Sequence, residues 1–367
     1  MTLAASFFRP QAGPGAAVVA AVSACNGVGL DAEQTWAFWR AQLSPFVESP
    51  FVCANGERAT MCLDRTLPAK LVGVAREAAL VRRALRGLAP VLAILEGRRM
   101  ALGLAISGRP APDRAPLLAA LQKAIPGPAP VQLQPLGPGG FARVVADAAA
   151  ALSSGTLEAA LVGAVDTAHD PARVAALLAE GRLFDGEDTE APIHGEGAAF
   201  LLLLRAELAS RLRLPVLAGV DAAAMDEEAP PADAPIDGAG LTRALRAHTA
   251  SLRKARAQLE WILADVNNEE RRTREWLLAL PRALAPGGLS TAGRDYFEVA
   301  SADLRTDFLP PVFGDLGAAS IATGLVLAVT AAQRGDPARK NVLAVGSDAR
   351  NRRGAVLLSL PDGRRGG

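Results

Sequence analysis

The sequence predicts an α/β protein made of two copies of one layered unit, in the order αβαβα, with two mixed sheets around buried Ala/Gly-rich helices. Three observations carry this. Apolar strands that are nearly continuous alternate with helices, as in sheets covered on both faces. A segment also repeats. A small-residue helix followed by Leu161-Val162-Gly163-Ala164-Val165-Asp166 and later Gly197-Ala198-Ala199-Phe200-Leu201-Leu202 is echoed by another such helix, Leu343-Ala344-Val345-Gly346-Ser347-Asp348 and Gly354-Ala355-Val356-Leu357-Leu358. Two distant copies signify duplication, because a solenoid needs three or more short ones. Finally, 50% of the 367 residues are hydrophobic but only 4% aromatic, and small side chains let a helix lie close between two sheets. The expected halves are 1–210 and 211–367.

Residues 1–14 read as a lead-in. Val18–Ser23 is an apolar strand and Asn26-Gly27-Val28-Gly29 a turn. Asp31 is placed to cap the helix Ala32–Leu43, where Glu33 suits the positive end of the dipole. Trp36 and Trp39, three apart, share a core-facing side. Residues 44–68 form a strand-poor excursion with a hairpin signal at Asn55-Gly56. A helix over Ala69–Arg86, a strand over Met100–Ser107 and a helix over Asp113–Ile125 follow, the last stopped by the Pro126–Pro130 cluster. Val131–Leu133 is extended and leads into the turn Leu136-Gly137-Pro138-Gly139-Gly140-Phe141, a small-residue helix and the strand Leu161–Val165. Gly197–Leu204 closes the first half.

After a basic bridge at Arg205–Arg213 the alternation restarts. Val216–Val220 is a strand, followed by an acidic, proline-rich insertion at Asp226–Asp237. Leu241–Leu252 is a helix, Leu259–Val266 a strand, Arg272–Leu280 a helix and Tyr296–Ser301 a strand. Asp315–Gln333 is the second small-residue helix, and Val342–Ser347 and Ala355–Leu360 are the last strands. Asp362–Gly367 frays.

Thirty-nine basic against 38 acidic residues give a net charge of +1, which offers neither nucleic acid nor an anionic membrane an electrostatic footprint. Cys25, Cys53 and Cys62 are odd in number and lack metal-ligand spacing, so no disulfide framework, metal site or cofactor is implied. A reducing cytoplasm is the expected compartment. Ala16–Ala21 followed by Val22-Ser23-Ala24-Cys25 has the outline of a lipoprotein cleavage site, but a single Arg9, two prolines and a short Ala-rich run make a poor signal core. No run is long enough to span a bilayer.

A strand feeding a turn that opens onto a helix is where α/β enzymes place a nucleophile, since backbone N–H groups and the helix dipole converge there. Leu136–Phe141 has that form, yet it holds no Ser, Cys, Thr, Lys, Asp or Glu.

Four segments resemble the thiolase-fold condensing enzymes, specifically the β-ketoacyl-acyl-carrier-protein synthases (3-oxoacyl-ACP synthases). VVAAVSACNGVGLDAEQTWAFWRA resembles their first strand and helix, and LEAALVGAVDT the strand after the nucleophile helix. HGEGAAFLLLLR, from His194, is similar to the Gly-Glu-Gly segment that closes the first half. GDLGAASIATGLVLAV, from Gly314, resembles the second glycine-rich turn and buried helix. The resemblance implies a cysteine at the start of the first buried helix, with an oxyanion hole of backbone N–H groups, and two histidines. Here the nucleophile position falls on Gly137 or Pro138. The first histidine position falls at Asp265-Val266-Asn267-Asn268 and the second at Gly314-Asp315. All three chemical groups are missing, which argues against Claisen condensation.

Displaced residues are weighed against that loss. Cys25 is expected as a small buried hydrophobe, and Cys53 and Cys62 as solvent-side thiols. His194 is a pocket candidate or, more plainly, a turn histidine held by backbone. His248 is expected on the surface, and His169 follows a strand end. Glu196 between two glycines could serve as a base, but the resemblance implies a structural anchor. Asp265 and Asp315 could do acid/base work, although helix capping suits them better. Gly139, Gly140, Phe141, His194 and Glu196 are the ligand-binding candidates. Asn267–Trp276 is expected to be only a polar helix start. The basic run Arg243–Arg256 fits a docking surface for an acidic acyl carrier protein or, more commonly, a solvated helix face.

The expected function is therefore a non-catalytic, synthase-like partner subunit, acyl-binding protein or scaffold. It would be a homodimer, or a heterodimer with an active synthase, joined along the sheet edge near Val131–Leu133. The alternative is an active acyltransferase or synthase-like enzyme with altered residues.

Overall fold

The computed structural model describes residues 16–108, 113–125, 127, 129–227, 236–285, 298–336, 339–348 and 352–361. The expected lead-in, tail and most of the acidic insertion lie outside them. Apolar alternation produces β1 (Ala17–Asn26), and Asp31 accepts from the Gln34 N–H at 2.7 Å to start α1 (Ala32–Arg40). The 44–68 excursion is a hairpin of β2 (Val47–Val52) and β3 (Arg58–Cys62) turning through Asn55-Gly56. Then come α2 (Gly73–Arg86), α3 (Ala89–Ile94), β4 (Met100–Ala105), α4 (Ala115–Ala124), β5 (Val131–Gln134), α5 (Gly140–Ser153) and β6 (Ala159–Thr167). The first half ends with α6 (Pro171–Ala179), β7 (His194–Arg205) and α7 (Ala206–Arg211).

The second half holds β8 (Ala218–Glu227), α8 (Ala239–Ala255), β9 (Leu259–Ala264), α9 (Glu270–Leu284), β10 (Ala300–Phe308) and α10 (Pro310–Phe313). A 3₁₀ turn at Gly317–Ala319 then leads into α11 (Ser320–Gln333), β11 (Asn341–Ser347) and β12 (Arg352–Ser359). The strand expected at Tyr296–Ser301 is found instead at Ala300–Phe308, and Tyr296 lies outside the described residues.

The strand order is β10-β9-β11-β12-β8-β1-β7-β6-β4-β5, and the middle joint, β1 with β8, is only Val18↔Gly219 and Val19↔Ala218. On either side of that short joint the halves have the same topology. Counting strands within each half and leaving the β2–β3 hairpin aside, the order is third, second, fourth, fifth, first. In both, the second strand is parallel to the third and fourth, and the fifth runs antiparallel to the fourth and first. The β2–β3 hairpin is a side addition, pairing through Met61 and Cys62 with the start of β7.

Five layers result. α2 and α4 cover the outside of the first sheet, and α8 and α9 the outside of the second. α5 and α11 lie between, each touching strands of both sheets. Burial explains their composition. Every residue of α11 from Ser320 to Ala331 is buried, and a helix apolar all round belongs in a core. Phe141, Val144, Val145 and Leu152 of α5 share that central core with Ile321, Leu325 and Val329 of α11.

Two expectations about burial are corrected. Cys53 and Cys62 are buried, not solvent-side: Cys53 packs with Val174 and Leu177 of α6 in a satellite core, whereas Cys62 belongs to the central core with Val312 and Phe313 of α10. His248 is fully buried rather than on the surface. It shares the inward face of α8 with Leu241, Leu245 and Leu252, and its Nδ1 bonds Ala244 O at 2.8 Å.

Candidate functional site

The turn before α5 is built as the sequence suggests: Gly137 N–H donates to Ile106 O (3.0 Å), Gly140 N–H returns to Gly137 O (3.0 Å), and α5 begins at Gly140. What faces this turn is backbone. A Cβ on Gly139 would sit 3.1 Å from both Arg353 C and Gly354 N, and one on Gly354 would collide with Gly139 O. Only glycine on both sides allows the turn and β12 to approach so closely. From the same side, a Cβ on Gly346 would lie 3.2 Å from Pro138 O. Among Gly137, Pro138, Gly139, Gly140 and Phe141, only Pro138 is not buried.

Gly346 leads to the rest of the site. Its neighbour Ser347 donates its N–H to Asp265 Oδ2 at 3.0 Å. Asp265 in turn pairs with Arg272 of α9, Nη2 to Oδ2 at 2.6 Å, and Arg272 Nη1 reaches Asp315 Oδ2 at 3.1 Å. Asn267 Nδ2 also donates to Asp315 Oδ2 (3.0 Å), while the Gly317 N–H donates to Asp315 Oδ1 (2.9 Å). Asp265, Asn267 and Asp315 are thus gathered beside a buried guanidinium, while Gly314 ends α10 and lies against His194 and Gly195. The expectation that Asn267–Trp276 is only a polar helix start is corrected: Arg272 and Asn267 are both buried. The expectation that Asp265 and Asp315 are helix caps is corrected: Leu316 is the N-cap of the 3₁₀ turn and Glu269 that of α9, while Asp315 takes the Gly317 N–H on one oxygen and Arg272 and Asn267 on the other.

The electrostatics separate the two carboxylates. Burial lifts Asp265 to about 6, Arg272 opposing and Asp315 adding to the rise. Burial also raises Asp315, but Arg272 and the donors around it prevail and hold it at about 2. The Arg272 guanidinium stays charged between them.

The remaining candidates are committed to the fold. Glu196 is fully buried and accepts four hydrogen bonds: from Arg76 Nε (2.6 Å), Arg76 Nη2 (2.8 Å), Asp64 N (2.8 Å) and Thr167 Oγ1 (2.7 Å). With no lone pair left open, it pins the excursion and α2 to the sheet. His194 begins β7 rather than standing in a turn, and its Nε2 contacts Arg182 O at 2.8 Å. Burial lowers its pKa, so it is neutral near pH 7. His169 Nε2 contacts Ala69 O at 2.8 Å, and Cys25 is buried with its thiol pushed up to about 12 by burial, Asp64 adding to the rise. No thiolate is available there.

The halves are also cross-tied. Asp166, the penultimate residue of β6, accepts from the Ala318 N–H at 2.8 Å and pairs with Arg173, while its counterpart Asp348 lies beside Gly137. Each half's strand-end aspartate thus faces the turn that starts the other half's buried helix.

This layered fold recurs in solved structures. A chain from a type II polyketide synthase complex, an acyl-carrier protein with its ketosynthase bound to the hexaketide, superposes with a TM-score of 0.75 at 14% identity, covering 95% of this chain and 100% of that one. The chain has the thiolase-like ketosynthase fold. The ishigamide ketosynthase/chain length factor matches at TM-score 0.68, 18% identity and 95% and 100% coverage. The ketosynthase ApeO in complex with its chain length factor ApeC, from Xenorhabdus doucetiae, matches at 0.71, 14% and 94% and 98%. No family model and no curated protein sequence matches the chain. Within the ketosynthase fold, Arg272, Arg353 and Glu275 are the site residues that sequence reasoning missed. Arg353 Nε and Nη2 pair with Glu275 at 2.7 and 3.1 Å, both side chains buried, just where β12 meets Gly139. Among the described residues, no helix is long and apolar enough to cross a membrane.

Proposed function

We propose that this chain is a non-catalytic ketosynthase-like subunit that works by pairing with a cysteine-bearing synthase. The observation that carries the reading is Arg272. Its guanidinium joins Asp265 to Asp315, at the two places where the resemblance puts catalytic histidines, and neither carboxylate keeps an open approach. The turn opposite offers glycine and proline where a nucleophile would stand. Its backbone is closed against β12, which supports a structural role over acyl binding.

Two further points support pairing. Among the described residues β5 ends the strand order and pairs only with β4, so Val131–Gln134 offers an edge that a partner strand would complete. Two of the neighbours named above are ketosynthases with chain length factors. The test is to isolate the tagged chain from its own cells and weigh the intact complex by native mass spectrometry. A stoichiometric heterodimer with a synthase that bears the active cysteine is expected. Recovery of a homodimer that condenses malonyl thioesters by itself would overturn the reading in favour of altered chemistry at Asp265 and Asp315.

A further inference from the structure

Three of the four tryptophans meet at the end of α11 that lies away from the Gly317–Ala319 turn. Trp36 and Trp39 come from α1 and Trp261 from β9. The rings of Trp39 and Trp261 have centres 5.8 Å apart, and the Arg305 guanidinium of β10 lies 5.2 Å from the first and 5.1 Å from the second. Beside them is a cavity of about 50 Å³. Trp261, Ala328, Ala331 and Leu360 form its buried wall. Its more open rim carries Ala332, Arg305, Asp336 and Arg339. Ala331 lies about 20 Å along the helical axis from Ala318, so this cavity is separate from the network around Arg272.

The polar groups around the cavity are unequally engaged. Asp336 accepts from Trp36 Nε1 at 3.0 Å and faces Arg40 Nη1 at 3.7 Å. Asp307 accepts from Trp261 Nε1 at 2.7 Å and pairs with Arg305 Nε at 2.5 Å. The last carbonyls of α11, those of Thr330, Ala331 and Ala332, take the N–H groups of Arg334, Gly335 and Asp336. The acceptors are therefore occupied, and both indole rings already carry the Arg305 cation. Arg339 differs. Its Nη1 donates to Asp303 O at 2.7 Å, and among the described residues no carboxylate pairs with it. A guanidinium offers five N–H donors, so most of this group's capacity is open. A cationic ligand would find the rings and carboxylates taken. A carboxylate would find the planar, two-pronged partner it matches best. The space holds about four water-sized atoms, too few for a nucleotide or a long chain, and its wall is apolar.

We propose that this cavity binds a small aliphatic monocarboxylate, its short tail against Ala328, Ala331 and Leu360 and its carboxylate on Arg339. The inference is independent of whether the chain is catalytic. The test is a titration of the full chain with propionate, followed through the ¹H–¹⁵N signals of the indole N–H groups, each assigned by replacing one tryptophan with phenylalanine. The Trp36 and Trp261 signals are expected to shift saturably, with a dissociation constant of about 1 mM. The signal of Trp276, on the outer helix α9, should stay in place. Propionamide, propylammonium and inorganic phosphate are the comparison probes, each expected to bind about tenfold more weakly or not at all. Arg339→Gln is expected to weaken propionate about tenfold or more, and Ala332→Leu, which fills the cavity from its rim, to abolish the shifts. Both variants should keep the parent circular dichroism spectrum and Trp276 signal. No saturable shift, equal binding of any comparison probe, or undiminished binding by either variant would overturn the proposal.

Discussion

Arg272 stands 2.6 Å from Asp265 inside the second half, with side chains only 4% and 2% exposed. Two buried carboxylates share this one cation, and among the described residues no other ion pair reaches either of them. Removing the cation alone is the costly change. Arg272→Met is expected to destabilise the protein by about 3–5 kcal/mol, because it leaves Asp265 and Asp315 uncompensated. A triple variant, Asp265→Asn, Arg272→Met and Asp315→Asn, is expected to recover most of that loss. Urea unfolding of both variants decides the matter; equal losses would mean that packing, not charge, dominates.

The same pair sets a pH dependence. Asp265 has its folded value raised from 3.8 to about 6, so the folded state binds the proton more tightly and loses stability as pH climbs through that window. Asp315 is depressed from 3.8 to about 2, so its contribution is present above 3.8 and is lost as pH falls towards 2. Asp265→Asn is therefore expected to flatten the decline between 3.8 and about 6 relative to the parent protein while keeping the acid limb. Denaturant midpoints measured across that range check it, and an unaltered slope would contradict it.

Glycine at 195 is required by contact. A Cβ there would collide with the carbonyl oxygen of Phe313, while the backbone of Gly195 and Asp315 is locked by a 2.9 Å hydrogen bond. Backbone atoms on both sides cannot swing away. Gly195→Ala is expected to cost about 1–3 kcal/mol, read as a lowered thermal midpoint. A neutral result would show that the β7 start and the turn before α11 can separate.

Restoring the nucleophile alone is expected to restore nothing. Pro138→Cys places a thiol beside the helix terminus, but Arg272 still joins the two histidine positions and the turn still abuts Gly354. Acylation by an acyl thioester, if any, should stop there without condensation. Product formation by this variant would show that the missing groups are supplied from elsewhere.

The layers were legible because burial dictates residue type: α11 is built almost wholly of small and apolar residues, and the aspartates Asp166 and Asp348 at the ends of two matching apolar segments announce the duplication. α6 was missed although its signal was present, Asp170 as cap followed by Pro171. His248 was misplaced because basic neighbours masked its position on the Leu241, Leu245, Leu252 face. Arg272 and the Arg353–Glu275 pair were not legible in principle. A charged residue in a polar stretch is indistinguishable from a solvated one until the fold brings its partners, here seven and 43 residues away in sequence for Asp265 and Asp315. The same holds for the closure of the turn before α5, which depends on β12 from the far end of the chain.

The central proposal is that a buried ion network stands in this ketosynthase fold where the resemblance puts catalytic groups, leaving the chain without condensing activity. It is tested most directly by incubating the purified protein with acyl and malonyl thioesters and following intact mass together with product release. The account predicts no covalent acyl adduct and no condensation or decarboxylation above the protein-free background. Turnover that disappears in Asp315→Ala would contradict it.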